Sequence, residues 1–219
     1  MATGVLQQDV PRAEAAGEPR YKRALDLVLT IGAHVVLSPL LLLLWVGIPL
    51  AIWLDSGRPI FYRQRRLGRG GATFMIIKFR TMVADAEQRL AGDRELRAQF
   101  LDAYKLRDDP RITRVGRWLR AWSLDELPQL LNVLTGEMTL VGPRPIVEEE
   151  LSKYGPCADR LLSVRPGLTG LWQALRHEEL DYPRRVSLDM EYISRRSLAF
   201  DLGILLRTGP SVLGRRGAY

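Results

Sequence analysis

The 219-residue chain has one cysteine, Cys157, and two histidines, His34 and His177. A single cysteine excludes an intramolecular disulfide framework and fits a reducing compartment. Two histidines so far apart, with that one cysteine, argue against a zinc site. Any metal would have to be a hard one held by carboxylates, such as magnesium. Acidic residues are missing from Ser56 to Ala84, where Arg58, Arg63, Arg65, Arg66, Arg69, Lys78 and Arg80 all fall. No Gly-Lys-Ser/Thr follows Gly68-Arg69-Gly70-Gly71, so that cluster reads as a turn and not as a phosphate loop. No small-residue cleavage site follows the one long apolar run, which speaks against a signal peptide. Internal repeats are absent.

What remains is ordinary in bulk and uneven in distribution. The chain is 47% hydrophobic and 26% charged, long enough for one domain, and carries a net charge of +7 suited to anionic partners. Its apolar content concentrates in Leu27 to Leu54, 28 residues without Asp, Glu, Lys or Arg. Arg20, Lys22 and Arg23 precede this block and the basic cluster follows it. That cluster reads as a juxtamembrane segment held by anionic lipid, or as a topogenic flank with no binding role. As one helix the block would extend about 42 Å against a hydrocarbon core of about 30 Å, an excess that tilt could absorb. Ser38-Pro39 near its middle predicts a bend, with the Ser38 hydroxyl satisfying a freed carbonyl. Each half would then be about 12 to 16 residues, too short to span alone. Basic flanks on both sides place both ends in the cytoplasm. A re-entrant hairpin satisfies these features better than a kinked span.

Pro59 to Gln64 and Thr73 to Phe79 predict a β-hairpin across the glycine-rich turn. Ala84 to Tyr104 predicts a helix with Leu90, Leu96, Phe100 and Tyr104 as its buried stripe, broken at Asp108-Asp109-Pro110. A second helix, Ser123 to Leu134, presents Leu124, Leu127, Leu130, Leu131 and Leu134 and stops at Gly136. Met138 to Val141 reads as a short strand, and Val147 to Tyr154 and Asp181 to Leu198 as helical. Leu198 to Leu213, with a basic end at Arg215-Arg216, is expected in the membrane interface in preference to the core.

Chemistry concentrates at Ser123-Leu124-Asp125-Glu126-Leu127-Pro128-Gln129. Ser-x-x-Glu is a capping box, and acids in a first helical turn complement the macrodipole, so capping alone could explain the stretch. Pro128 fits the tolerated first turn better with Asp125 as N-cap than with Ser123. Either register puts both carboxylates at a helix N-terminus, where the dipole favours ionisation. An ionised Asp125 could attack phosphorus and form an acyl phosphate, with Glu126 helping to hold magnesium. Arg111, Arg114, Arg117 and Arg120 precede the dyad; for Arg111 and Arg114 a solvated helix face is expected. The prolines around Arg144 restrict its backbone, which suits presentation of a guanidinium to a phosphate, although an ordinary turn explains it too.

Four strings occur in order: Lys78-Phe79-Arg80-Thr81-Met82, Ser123-Leu124-Asp125-Glu126-Leu127-Pro128-Gln129, Val141-Gly142-Pro143-Arg144-Pro145, and Arg165-Pro166-Gly167-Leu168-Thr169-Gly170-Leu171-Trp172-Gln173. Together they resemble the bacterial sugar transferase family, the monotopic phosphoglycosyl transferases, over roughly residues 20 to 219. The resemblance implies Asp125 as nucleophile on the β-phosphate of a UDP-sugar, release of UMP, and passage of the phosphosugar to polyprenyl phosphate. It implies Glu126 as partner, Mg²⁺ at Asp125 and Glu126, Lys78, Arg80 and Arg120 near the phosphates, and Pro143, Arg144 and Pro145 near the nucleotide. Ser38 and Pro39 match that family's re-entrant helix. Ala174-Leu175-Arg176-His177-Glu178-Glu179 departs from the hexose-type pattern and puts glucose or galactose in doubt, and Arg185 to Tyr192 returns to it.

The expected fold is α+β: helix-rich and monotopic, with a re-entrant N-terminal hairpin and a small sheet in the catalytic core. Its parts are a disordered tail over residues 1–19, a membrane segment over 20–58, and a cytoplasmic catalytic domain over 59–219 with an interfacial C-terminal segment. The expected place is the cytoplasmic face of the bacterial inner membrane, in contact with its lipid, as the catalytic core alone. Self-association is left open and nucleic acid is not expected, since the interleaved aromatics of a single-strand binder are missing. A non-catalytic basic adaptor would explain the charge and the apolar block but not the acidic dyad beside arginines. A hydrolase would need its two acids to flank a sugar, whereas adjacent helical residues diverge by about 100°.

Overall fold

The apolar block folds as two helices that meet at Leu37. They are α1, Arg20–Val36, and α2, Ser38–Ser56. A computed structural model describes residues 18–103, 106, 109–175 and 181–213, the side chains of 100–103 and 210–213 excepted. Pro39 sits in the first turn of α2, where its missing N–H costs no hydrogen bond, so the bend predicted at Ser38-Pro39 is a termination and restart. The Leu37 N–H still donates to the Ala33 carbonyl (2.9 Å), and the Leu41 N–H to that of Leu37 (2.8 Å). The helices have 17 and 19 residues, longer than the expected halves, because α1 begins in the basic flank and α2 continues to Ser56. Among the described residues α2 alone is long and apolar enough to cross a membrane, so shortness is no argument for the hairpin.

Docking of the two outer ends says more. Near the start of α1, Lys22, Asp26 and Thr30 are buried, and near the end of α2, Ile48 and Ile52 are. Between them Val28, Val35, Val36, Leu40, Leu42, Leu43 and Val46 stand exposed. So many exposed apolar side chains on one helix pair, with Leu50, Trp53 and Leu54 besides, mark a membrane or partner contact.

β1 (Phe61–Leu67) and β2 (Thr73–Phe79) pair antiparallel from Phe61↔Phe79 to Leu67↔Thr73, as expected. The expected long helix after the hairpin is instead two, α3 (Ala86–Gly92) and α4 (Arg94–Ala103). Leu90 and Leu96 are only half-buried, because this pair lies on the surface with few core partners. The side chains of Phe100 and Tyr104, and Asp108, lie outside the described residues. So do residues 1–17 of the expected tail and Arg215-Arg216. Glu18, assigned to that tail, is ordered and pairs with Arg165 Nη2 (2.5 Å).

α5, Arg114–Ala121, starts at Thr113, whose hydroxyl accepts from the Gly116 N–H (2.9 Å). A Cβ at Gly116 would lie 2.0 Å from the Thr81 carbonyl oxygen, so only glycine lets α5 lie flush on that segment. α6, Gln129–Thr135, follows a 3₁₀ turn over Leu124–Glu126 and ends at Gly136, φ 85°. β3, Thr139–Val141, pairs parallel with β4, Gly167–Thr169, through Thr139↔Gly167 and Val141↔Thr169. Between them run a 3₁₀ stretch, Glu148–Cys157, and α7, Ala158–Leu162. α8 (Leu171–Leu175), α9 (Tyr182–Arg195) and α10 (Leu198–Leu213) complete the chain.

The main core gathers Leu67, Phe74 and Ile76 of the hairpin with Val133, Met138, Val141, Tyr154, Leu171, Leu188, Tyr192 and Ile204. A smaller cluster of Ile48, Ile52, Phe79 and Leu119 joins α2 to the hairpin and α5. Full burial of each such side chain stabilises by about 1.5–3 kcal/mol. α1 docks through polar contacts. Lys22 Nζ donates to Tyr192 Oη (2.8 Å), Asp201 Oδ2 (3.0 Å) and the Val141 carbonyl. Asp26 Oδ1 accepts from Thr139 Oγ1 and the Leu140 N–H, each at 2.9 Å. α10 is divided: Asp201 and Ile204 are buried, while Leu202 and Leu206 face out.

Candidate active site

The dyad is presented by a tight turn. Ser123 takes up φ 52°, a left-handed conformation uncommon for a side-chain-bearing residue, and makes no side-chain capping bond. The 3₁₀ turn carries Asp125 and Glu126, and Pro128 is the N-cap of α6. Neither expected capping register is therefore realised, and the capping-box explanation of this stretch is removed. Leu124 and Leu127 pack against the smaller core cluster and Leu130 against the main one. Gln129, Asn132 and Val133 form the buried face of α6, whereas Leu131 is 44% exposed. Polar side chains face inward there because Asn132 hydrogen-bonds the backbone of β2 at Met75 and Ile77.

Lys78 Nζ, from β2, lies 2.7 Å from Glu126 Oε1, and Arg144 Nη1 approaches the same oxygen at 4.0 Å. Burial would raise the Glu126 carboxyl, but Lys78 and Arg144 pull it down to about 2. Asp125 is buried, and that burial together with the charge of Glu126 raises its carboxyl above the usual range, against the pull of Lys78 and Arg120. Glu126 is thus ionised as expected, but through Lys78 and Arg144 and not a dipole, while Asp125 is not favoured, since a three-residue 3₁₀ turn supplies little dipole and burial outweighs it.

Arg144 is held on a pinned loop. The Gly142 N–H donates to the Thr169 carbonyl (2.8 Å), and the Gly167 N–H donates to that of Pro143 (2.7 Å). A Cβ on Gly167 would fall 2.1 Å from the Gly142 nitrogen, so this approach requires glycine. Arg66 Nη1 donates to the Pro145 carbonyl (3.2 Å) and pairs with Glu150 Oε1 (3.4 Å). The Arg144 guanidinium, 42% exposed, lies 6.0 Å from the Trp172 ring centre, and that of Arg185 lies 5.2 Å from it. Arg66, Lys78, Glu126, Gln129, Arg144 and Pro145 line an open depression of about 230 Å³.

The profile described as "Bacterial sugar transferase" matches residues 18–215. The chain belongs to the bacterial sugar transferase family. It is 46% identical over 208 residues to the exopolysaccharide production protein ExoY of Sinorhizobium fredii, covering 90% of this chain and 88% of that one. It is 44% identical over 202 residues to the undecaprenyl-phosphate galactose phosphotransferase of Salmonella typhimurium, covering 90% and 41%. The UDP-glucose:undecaprenyl-phosphate glucose-1-phosphate transferase of Caulobacter vibrioides is 46% identical over 206 residues, covering 90% and 72%. The chain therefore spans less than half of the Salmonella protein.

In this family member the motif residues do not all converge. Lys78, Glu126, Arg144 and Pro145 meet around the depression, whereas Pro143 lies outside its lining and Asp125 is buried beside Glu126, within the influence of Lys78. Arg120, on α5, bonds Thr81 Oγ1 through Nε (2.9 Å) and acts on Asp125 through its charge. Arg80 lies apart from the depression: its Nη2 donates to the Ser56 and Gly57 carbonyls (2.8 and 2.9 Å) and closes the C-terminus of α2. Arg111 is not a solvated helix residue either. It lies buried before α5, paired to Asp109 through Nε (2.8 Å) and Nη2 (2.6 Å), whereas Arg114 is exposed as expected. Arg176, His177, Glu178 and Glu179, of the segment that departs from the hexose pattern, lie outside the described residues. Sequence reasoning passed over Asn132, Gln129 and Arg66, and only the polar positions in a leucine-rich helix could have drawn attention to the first two.

Among the described residues no three His, Cys, Asp or Glu side chains cluster as metal ligands. The adjacent carboxylates of Asp125 and Glu126 form an oxygen-only set that fits Mg²⁺, which commonly takes one or two carboxylates and completes its shell with substrate phosphate and water.

Proposed function

We propose that this chain transfers a sugar-1-phosphate from a UDP-sugar to polyprenyl phosphate through an aspartyl-phosphosugar intermediate. The reading is carried by one observation: a buried Asp125 beside a Glu126 held ionised by Lys78 and Arg144. The relatives' names, which specify undecaprenyl phosphate with galactose or glucose, support that acceptor and put UDP-hexoses first among donors.

Asp125 attacks the β-phosphorus, the bond to the bridging oxygen breaks, and UMP leaves with that oxygen. The acceptor phosphate then attacks the same phosphorus, the acyl-phosphate bond breaks, and Asp125 is regenerated as the carboxylate. Lys78 and Arg144 bind pyrophosphate oxygens and stabilise the charge that develops on them. Asp125 attacks as the carboxylate, the form that the charges of Lys78 and Arg120 favour against its burial. Mg²⁺ held by Asp125 and Glu126 would neutralise pyrophosphate charge and ease departure of UMP.

The exposed middle of α1 and α2 enters the cytoplasmic leaflet of the bacterial inner membrane and returns. Docking of both outer ends on the soluble core supports this, as does the basic residue content of both flanks. The outward leucines of α10 rest in the interface while its buried side closes the core. Membranes containing the protein, given UDP-glucose or UDP-galactose, Mg²⁺ and polyprenyl phosphate, are expected to release UMP. Release of UDP or free sugar would show different chemistry, and no product would favour the adaptor.

A further inference from the structure

β2 is an edge strand: β1 pairs one side, and the other side carries backbone groups that need partners. One side chain meets them. Asn132, 2% exposed, accepts from the Ile77 N–H through Oδ1 (3.3 Å) and donates from Nδ2 to the Met75 carbonyl (2.9 Å). Its second Nδ2 hydrogen goes to Glu137 Oε2 (2.8 Å). The amide thus acts as a one-residue strand, joining α6 to β2.

The position of this joint gives it a consequence for the site. Lys78 follows Ile77 directly, and Glu126 lies in the turn that leads into α6. The Lys78–Glu126 contact at 2.7 Å closes a ring that runs from the β2 backbone through Asn132, α6 and Glu126 back to Lys78. A lysine stem is long and rotatable, so an ion pair alone does not fix the separation of the elements bearing it. The buried amide, with two directed bonds to backbone, does.

We propose that Asn132 is a positioning residue for the reaction, holding Lys78 of β2 against Glu126 in the turn ahead of α6. The inference rests on the proposed function, and its test must separate the two. The intact protein in lipid discs, with ¹⁵N-labelled lysine side chains and ¹³C-labelled glutamate carboxyls, is examined by solid-state NMR for the Lys78–Glu126 dipolar contact, as wild type and as Asn132→Ser. Wild type shows that contact, as a 2.7 Å approach requires, and the variant loses it. A contact retained in the variant overturns the proposal whatever the reaction is. In parallel, loading of Asp125 from labelled UDP-glucose or UDP-galactose should slow by about 10–100-fold in the variant, as expected of a misplaced catalytic group. A wild type that never loads counts against the proposed function and leaves the dipolar contact to judge Asn132. If Asn132→Ser does not fold, Asn132→Asp combined with Glu137→Gln keeps shape, net charge and the acceptor for the Ile77 N–H while losing the donor to Met75. The same loss of contact is required of it.

Discussion

At Asp125 and Glu126, neighbours in sequence are driven in opposite directions, one raised by burial and the other lowered by Lys78 and Arg144. A third carboxyl, Asp189, is 1% exposed and is pushed by burial to about 7, despite a bond from Tyr154 Oη (2.8 Å) and the charges of Arg144 and Arg185. The unfolded chain ionises this group near 3.8 while the folded protein keeps its proton up to about 7. Its contribution to stability is therefore complete at low pH and declines between those values. Asp189→Asn, which can still accept from Tyr154, removes that loss. Its melting temperature relative to wild type should rise from pH 4 to pH 8, by an amount on the order of 2–4 kcal/mol in stability. An unchanged difference across that range would mean Asp189 is already ionised in the folded protein. Charge and motif sufficed to single out Asp125, Glu126, Lys78 and Arg144 from sequence. They misplaced Arg111 and did not show that Arg80 reaches the end of α2, because sequence reports a charge and not which carbonyl or carboxylate it reaches in the fold. Asn132 gave no signal beyond its polar place in a leucine-rich helix, since its role depends on a strand edge more than fifty residues away.

The elements differ in how far they could be read beforehand. The hairpin was readable because its strands alternate and its glycine-rich turn is local. Of the second pair β3 was readable, within Met138 to Val141, but β4 and the pairing were not, because a three-residue strand carries no period and meets β3 only through a parallel crossover. The helix expected from Ser123 is divided at Pro128, where the chain spends a 3₁₀ turn displaying the dyad before α6 begins. Packing of α5 on Thr81 supports that turn from the other side and holds Arg120 in place. Gly116→Ala would force its methyl into the Thr81 backbone. It should cost about 1–3 kcal/mol or more by denaturant unfolding, and lower activity by shifting Arg120. A variant as stable and active as wild type would show that α5 can move away freely.

For the whole molecule, the break at Leu37 and the basic flanks were visible in sequence, whereas the polar seat of α1 in the core was not. Lys22 read only as part of a basic flank, and together with Asp26 it proves to be a buried anchor for β3, Tyr192 and α10. With both outer ends docked on one body, cysteines placed at residue 19 and at Ser56 should both be protected from an impermeant reagent outside the inner membrane. Labelling of residue 19 from outside would establish a span. The central claim concerns what that body does, and trapping the intermediate tests it most directly. The purified protein is incubated with labelled UDP-glucose or UDP-galactose and Mg²⁺, without lipid acceptor, and its peptides are analysed for covalent label. The account predicts label on the peptide containing Asp125, one UMP released for each phosphosugar bound, and loss of the label on adding polyprenyl phosphate. Asp125→Asn should fold, remain membrane-bound and carry no label, because the amide is a far poorer nucleophile. Unlabelled wild type that turns over only with both substrates bound, or a fully active Asp125→Asn protein, would contradict it.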